Sequence, residues 1–486
     1  MRVLALLLVA GCDVVFSLDR PPSPVDAPPP GPDLARATFV RAILAEPGGA
    51  VLDRSAPDVT ATVVLANGAR PEVTRAGDDF TFAWTRGMGY RIKFERPDRA
   101  PLEYISDAEH LVHAQRELAR EGATPSAGSL LDVTMTNIGT PLYTFVMSTG
   151  VWAMSSSGGQ MPAQFTVDFS LPGPFLTARP RLLAATDTLY CATFETVLDG
   201  GSGLTYDALT RVTSGNVAML DGQRTPVSCN VDEIVLDRCA RIDVDRQAEA
   251  DRVQSAAAPS FNSIAYSTFL IAVPTPAFGP WAGFWLAFNA TRLEPIIPFN
   301  GTLHYANPFP GHTDAVLSSS SRTRDIQAPG AVKTFQIGVG TMHFYQPTPA
   351  CGAATPVTQI AIPSPPAFGG AYVVNDGELQ LSTTRPVEVS WENRSPGPVD
   401  YYLVVLFRVI KTADAGTALQ DVYSWVTTGT ELEMDRTLLE GGKQYIMSIS
   451  ALYGYSNSAN GDFRTQRWPD PVASATNYSG VFTVKP

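Results

Sequence analysis

The groups in this chain with reactive chemistry are its five cysteines and five histidines. Cys12 stands alone near the amino terminus, while Cys191, Cys229, Cys239 and Cys351 lie in the interior. An even interior count suggests two disulfides if the chain is exported, with three connectivities open, and Cys229 with Cys239 could close a short loop. Four buried free thiols are the alternative. No spacing is CxxC, so neither zinc binding nor thiol exchange is favoured.

His110 and His113 fall in the segment Ser106 to Gly122, which reads as a helix: Ser106 and Glu109 match a capping box, and Gly122 could end the element. Three-residue spacing on a helix would let the two imidazoles share a metal. No third ligand is evident and no HExxH is present, so the reading is two surface histidines and no metal site. Gathering His304, His312 or His343 in a pocket with two carboxylates would argue for a hydrolase. No GxSxG occurs, and none of the lysines follows a serine by three residues, so the sequence assigns no catalytic residue. Asp243 and Asp245 begin like a calcium loop, but Ala248 and Gln254 stand where glycine and a bidentate glutamate are needed. Asp199 to Gly203 reads as a turn. The aromatic run Phe278, Trp281, Phe284 and Trp285 either packs in a core or, if exposed, forms a patch able to stack on sugar rings or dock a partner. Sequons stand at Asn289 and Asn477.

Residues 1 to 12 read MRVLALLLVAGC: one positive charge at Arg2, an apolar run from Val3 to Val9, then small residues before a cysteine. This is the layout of an export signal, and its apolar run is far shorter than the ~20 residues needed to cross a bilayer. Val9-Ala10-Gly11-Cys12 resembles the lipobox of bacterial lipoproteins. The resemblance implies removal of residues 1–11, acylation of the Cys12 thiol, and membrane lipid as a partner through that cysteine. Two or three acyl chains hold durably where one does not. Asp13 resembles the inner-membrane retention signal of enteric bacteria, although the rule differs between lineages and an outer-membrane or surface location is the expectation. Residues 12–36 form a tether. Seven prolines between Pro21 and Pro32 favour an extended polyproline II spacer of ~3.1 Å per residue.

A net charge of −12 argues against general affinity for nucleic acid or anionic lipid. Charged residues make up only 17% of the chain, against 39 glycines and 40 prolines, which favours short strands and many turns over long helices. The expectation is all-β: several β-sandwich domains with little helix.

Residues 37–127 are expected to form the first sandwich. Ala61, Val63 and Leu65 alternate; Phe80, Phe82 and Trp84 share a face, as do Tyr90, Ile92 and Phe94; Asn67-Gly68 signals a tight turn. The arrangement resembles the prealbumin-like, carboxypeptidase regulatory-type modules of exported bacterial proteins. Residues 128–362 read as a large central β domain, in which Phe165 and Val167, Phe269 to Val273, and Phe335, Ile337 and Val339 mark strands. Val244 to Ala257 reads as a short helix or an exposed excursion. Ile362 to Gly370 is a linker by composition. In residues 371–486, Val387, Val389 and Trp391 share a face, Tyr401 to Ile410 is a long apolar strand, and Leu439 lies six residues before Tyr445. The pattern resembles a fibronectin type III domain, whose corner tyrosine hydrogen-bonds back to the backbone, with Gly441 in place of the usual corner proline. The functional expectation is a non-enzymatic envelope or surface lipoprotein without cofactor, binding envelope protein or glycan or serving a structural role. The alternative is a membrane-anchored hydrolase with its site in the central domain.

Overall fold

A computed structural model describes residues 33–44, 51–97, 99–117, 123, 128–148, 153–158, 164–168, 182–200, 205–244, 246–258, 260–261, 263–273, 284–291, 299–347, 351, 360–379, 385–455, 457–463 and 472–485. Cys12, the polyproline stretch, Phe278 and Trp281 lie outside them. The protein is all-β and sandwich-like. Its strands belong to packed sheets, and among the described residues one α-helix, Arg246–Ala256, interrupts them, within the segment Val244 to Ala257 that reads as a short helix or an exposed excursion. Val253 and Ala250 are buried beneath it, and Val253 joins a core with Ile326, Ile337 and Val339.

The alternating patterns place side chains as strand geometry requires, one face inward and the next outward. Phe80, Phe82, Trp84, Tyr90, Ile92 and Phe94 are all buried, and the Phe82 and Tyr90 rings meet edge to face at 5.1 Å. Gly68 takes a positive φ of 83° in the turn after Leu65, but the strand Thr60–Leu65 pairs with Tyr90–Arg96, so that turn joins no two-residue hairpin.

The expected helix at Ser106 to Gly122 is instead a strand, His110–Glu117. It lies parallel to Leu34–Leu44, with Arg36 opposite His110 and Ile43 opposite Glu117. On its other edge Val112 donates to the Gly461 carbonyl, and Phe463 donates to the Val112 carbonyl. Distant chain thus satisfies the backbone on both sides, which outweighs a local helix preference of a few tenths of a kcal/mol per residue. The Ser106 hydroxyl caps only the turn, accepting from the Ala108 amide at 3.1 Å.

The C-terminal region is a two-sheet sandwich. Ala371–Tyr372, Ala367–Phe368, Val387–Ser390 and Glu431–Met434 form one sheet. Thr417–Thr427, Tyr401–Lys411, Gln444–Tyr453 and Val472–Tyr478 form the other. Val389, Trp391, Val404, Trp425, Met434 and Tyr445 meet between them. The Tyr445 hydroxyl accepts the Glu440 amide at 2.9 Å, tying the strand start to the corner before it. Ile362 to Gly370 is no free linker. Ile362 and Ser364 are buried, and Ala367 and Phe368 pair with Ser390 and Val389 as a strand of this sandwich. Proline content alone misled here, because the segment's apolar residues find a core.

The regions are not beads on a string. Ser263–Val273, Thr313–Ile326 and Phe335–Tyr345 pair in succession in the central region. Phe335–Tyr345 then pairs with Val472–Tyr478 of the C-terminal region. At the far side of that sandwich, Thr417–Thr427 pairs in parallel with Arg99–Ser106 of the N-terminal region. One sheet therefore runs through all three. A single core gathers residues from each: Phe94 and Tyr104, Val273 and Phe344, Tyr401 and Val426. A polar clamp reinforces the parallel joint, where buried Glu103 accepts the Tyr423 hydroxyl at 2.5 Å and pairs with Arg91, which also donates to the Glu433 carbonyl at 2.8 Å. Burial and the Glu103 carboxylate together push the Tyr423 hydroxyl well above the usual tyrosine range, so it remains a donor at every working pH.

Candidate functional site

Cys191 pairs with Cys229 and Cys239 with Cys351. The short Cys229–Cys239 loop does not form. Cys229 points into a small core with Leu131, Val133 and Cys191, whereas Cys239 lies opposite His304 in another sheet. Nearness in sequence said nothing about which strand faces which.

Phe284 and Trp285 are core residues, not an exposed patch. Phe284 is 3% exposed beside Phe309, and half-buried Trp285 packs on Phe269, Phe288 and Phe145 at ring distances of 5.0 to 5.4 Å. Asn477 is fully buried and donates to the Pro363 carbonyl at 2.9 Å, so its sequon offers no acceptor to solvent.

His110 and His113 cannot share an ion. On a strand, an interval of three sends them to opposite faces. His113 rests on Phe39 and bonds the Tyr104 hydroxyl. His110 accepts from Arg36 at Nδ1, so Nε2 carries the proton and donates to Thr38 Oγ1 at 3.0 Å, while Thr38 donates to Asp79 at 2.5 Å. Threonine, histidine and aspartate meet here, yet the donor direction runs from imidazole to hydroxyl to carboxylate. In that tautomer the imidazole presents no lone pair to the hydroxyl, so the group is not a base-activated nucleophile. Among the described residues, no three His, Cys, Asp or Glu side chains gather closely enough to hold a metal ion.

His312 sits in a separate polar network that sequence reasoning did not single out. Asp314 accepts from Tyr305, Asn307 and Arg238 at 2.9, 2.6 and 2.7 Å. Nearby, His312 donates from Nδ1 to the Pro310 carbonyl at 3.1 Å and packs beside Phe309 and Phe284. Burial depresses its pKa below the ordinary imidazole range, with the Pro310 carbonyl opposing more weakly. The unfolded chain takes a proton near pH 6.5 while the folded chain stays neutral, so stability rises with pH through this window and is lost as pH falls below about 6.5. The melting temperature should therefore fall between pH 7.5 and 5, and His312→Gln should reduce that fall. An unchanged pH difference in the variant would contradict this.

A cleft of about 380 Å³ opens where the central and C-terminal regions join. It opens over the pairing of Phe335–Tyr345 with Val472–Tyr478, and Gly340 stands opposite Thr476, Met342 opposite Ser474. Half-buried Ser321, Ser450, Ser474 and Thr476 supply hydroxyls to its wall, and Ser450 and Thr476 bond each other at 2.8 Å. Met342, Leu403 and Leu452 supply apolar surface, with Phe344 and Tyr455 buried behind. Gly338 and Gly340 leave the floor without side chains. At Gly340 only glycine fits, because a Cβ would meet the Ser320 carbonyl on the adjacent strand. Among the described residues, none that lines it is a carboxylate, a lysine, an arginine or an imidazole. Such a wall offers hydrogen bonds and apolar contact to an uncharged molecule.

None of these lining residues was singled out in the sequence. The available signal was the serine run Ser318 to Ser321 in the strand Thr313–Ile326, together with glycines two apart at 338 and 340. Small residues at alternating strand positions leave a hollow on one face.

No family model matches the sequence, and no curated protein matches it. Among solved structures, the Bacillus anthracis TIE protein is similar over 95% of this chain and 75% of that one, at 8% identity and a TM-score of 0.13. That likeness is too slight to carry an argument about fold or function.

Proposed function

We propose that this chain is a lipid-anchored protein of the bacterial envelope, held by acylated Cys12, whose β body binds a ligand and does not catalyse a reaction. The observation that carries the reading is the state of the cysteines. Four of the five are paired within the body, and the fifth is the one at the end of a leader resembling an export signal with a lipobox. Paired structural cysteines suit an oxidising compartment outside the cytoplasm, and a lone cysteine after Val-Ala-Gly suits acylation. The proline-rich tether, expected over residues 12–36 but cut short by the strand that starts at Leu34, would hold the body a few tens of Å from the membrane. The C-terminal sandwich, with its hydroxyl-anchored corner at Tyr445, supports a fibronectin type III-like reading of residues 371–486. Fold of this kind serves many roles, so the binding assignment rests on the cleft and not on the sandwich.

The experiment is detergent phase partition of envelope fractions. The native chain is expected in the detergent phase, and Cys12→Ala is expected to move to the aqueous phase or to remain unprocessed with residues 1–11 attached. A processed Cys12→Ala chain that stays as strongly membrane-bound as the native one would overturn the anchor.

A further inference from the structure

We propose that the cleft over the paired strands Phe335–Tyr345 and Val472–Tyr478 is a saccharide subsite that takes an uncharged sugar of one or two rings. The inference rests on the reading of this chain as a binding protein and supplies the chemical class of its ligand.

Three properties of the wall select that class. The first is charge: among the described residues, no carboxylate, ammonium, guanidinium or imidazole lines the cleft. A charged ligand would lose its hydration there without gaining a counter-charge. The second is the hydroxyl set. Ser321, Ser450, Ser474 and Thr476 can each donate and accept, and the half-buried Ser450–Thr476 pair, joined at 2.8 Å, keeps further acceptor capacity. Hydroxyls that both donate and accept match a ligand whose own groups do the same. A purely apolar ligand, such as an acyl chain, would cover these hydroxyls and leave them unsatisfied. The third is the adjoining apolar surface of Met342, Leu403 and Leu452, cross-strand neighbours of Ser474 and Ser450, which suits the C–H faces of a pyranose ring. The volume, about 380 Å³, lies at the lower end of the range for small-molecule sites, room for a short saccharide and not for a long chain enclosed throughout.

The position adds a consequence. The lining spans the pairing that joins the central region to the C-terminal sandwich, so a sugar bound there would brace the joint and raise the melting temperature by mass action.

The test is calorimetric titration of the full-length protein, extracted in a detergent without a sugar headgroup. The probes are maltose, cellobiose and diacetylchitobiose, with glucuronic acid as the charged control and decanol as the apolar one. At least one uncharged disaccharide is expected to bind saturably with a dissociation constant at or below ~1 mM. Ser474→Leu, which fills the cleft beside Met342, should weaken binding at least ~10-fold. Ser474→Ala removes only the hydroxyl and should weaken it by a smaller factor while keeping the native melting temperature, so lost binding is separable from lost fold. No saturable binding of any disaccharide up to ~10 mM, or equal binding of glucuronic acid or decanol, overturns the proposal. Native affinity in both Ser474 variants overturns it too. The Cys12→Ala chain should bind the sugar as the native chain does. Failure of the anchor therefore shows in partition and failure of the saccharide site in titration, each without the other.

Discussion

A chain carrying Cys239→Ser and Cys351→Ser is expected to lose about 4 to 5 kcal/mol of stability, the largest effect expected from any change at a single feature of this protein. The two cysteines are 112 residues apart in sequence, and their bond ties the strand Arg238–Val244 to the chain just past Phe335–Tyr345. A closed loop of that length removes much of the freedom of the unfolded chain, and the saving grows with the logarithm of loop length. The loop closed by Cys191 and Cys229, with a separation of 38, should contribute somewhat less, about 4 kcal/mol. Denaturant unfolding of the native, singly bridged and reduced proteins is the measurement. An unchanged midpoint after loss of the Cys239–Cys351 bridge would contradict the expectation, as would a cost smaller than that of losing Cys191–Cys229.

Replacement of Glu103 by alanine should cost about 3 kcal/mol and should separate the N-terminal strands from the rest before the body unfolds. The carboxylate is 6% exposed and is the shared acceptor of Arg91 and Tyr423, which belong to the two regions it joins. With it gone, the Tyr423 hydroxyl is left buried without its acceptor, and Arg91 keeps only its bond to the Glu433 carbonyl. Glu103→Gln retains the shape and the tyrosine bond and should lose roughly half as much. A double-mutant cycle with Tyr423→Phe measures the coupling across the joint. A coupling near zero, with a single unfolding transition in the Glu103→Ala protein, would show that the parallel pairing of Thr417–Thr427 with Arg99–Ser106 does not depend on the clamp.

How legible all this was in the sequence varied with how local the cause was. Phe80, Phe82 and Trp84, and again Val387, Val389 and Trp391, declare their strands because each strand has one buried face and the period of two survives in the residues. The helix at Arg246–Ala256 was legible in part, as a polar, alanine-rich break between strand patterns that left a helix or an exposed excursion open. His110–Glu117 was misread because its partners, Leu34–Leu44 and the chain at Gly461, are remote, and a capping pattern is satisfied as easily by a turn. The buried position of Phe284 and the cysteine pairing were hidden likewise, since both follow from which sheets meet. The cleft was the least legible feature. Its walls are drawn from segments near Ser321, Gly340, Leu403, Ser450 and Ser474, and no one of these carries a motif. A hollow made by small residues on neighbouring strands exists only once the strands are paired.

Lipid carried by the sulfur of one residue is what the proposed envelope role requires. Mass spectrometry of the amino-terminal peptide from protein extracted out of native membranes measures this directly. The predicted peptide starts at Cys12, lacks the preceding eleven residues, and bears the mass of two or three acyl chains. A peptide that starts at Met1 and carries Cys12 as an unmodified thiol would contradict the anchor, and with it the envelope role proposed for the β body.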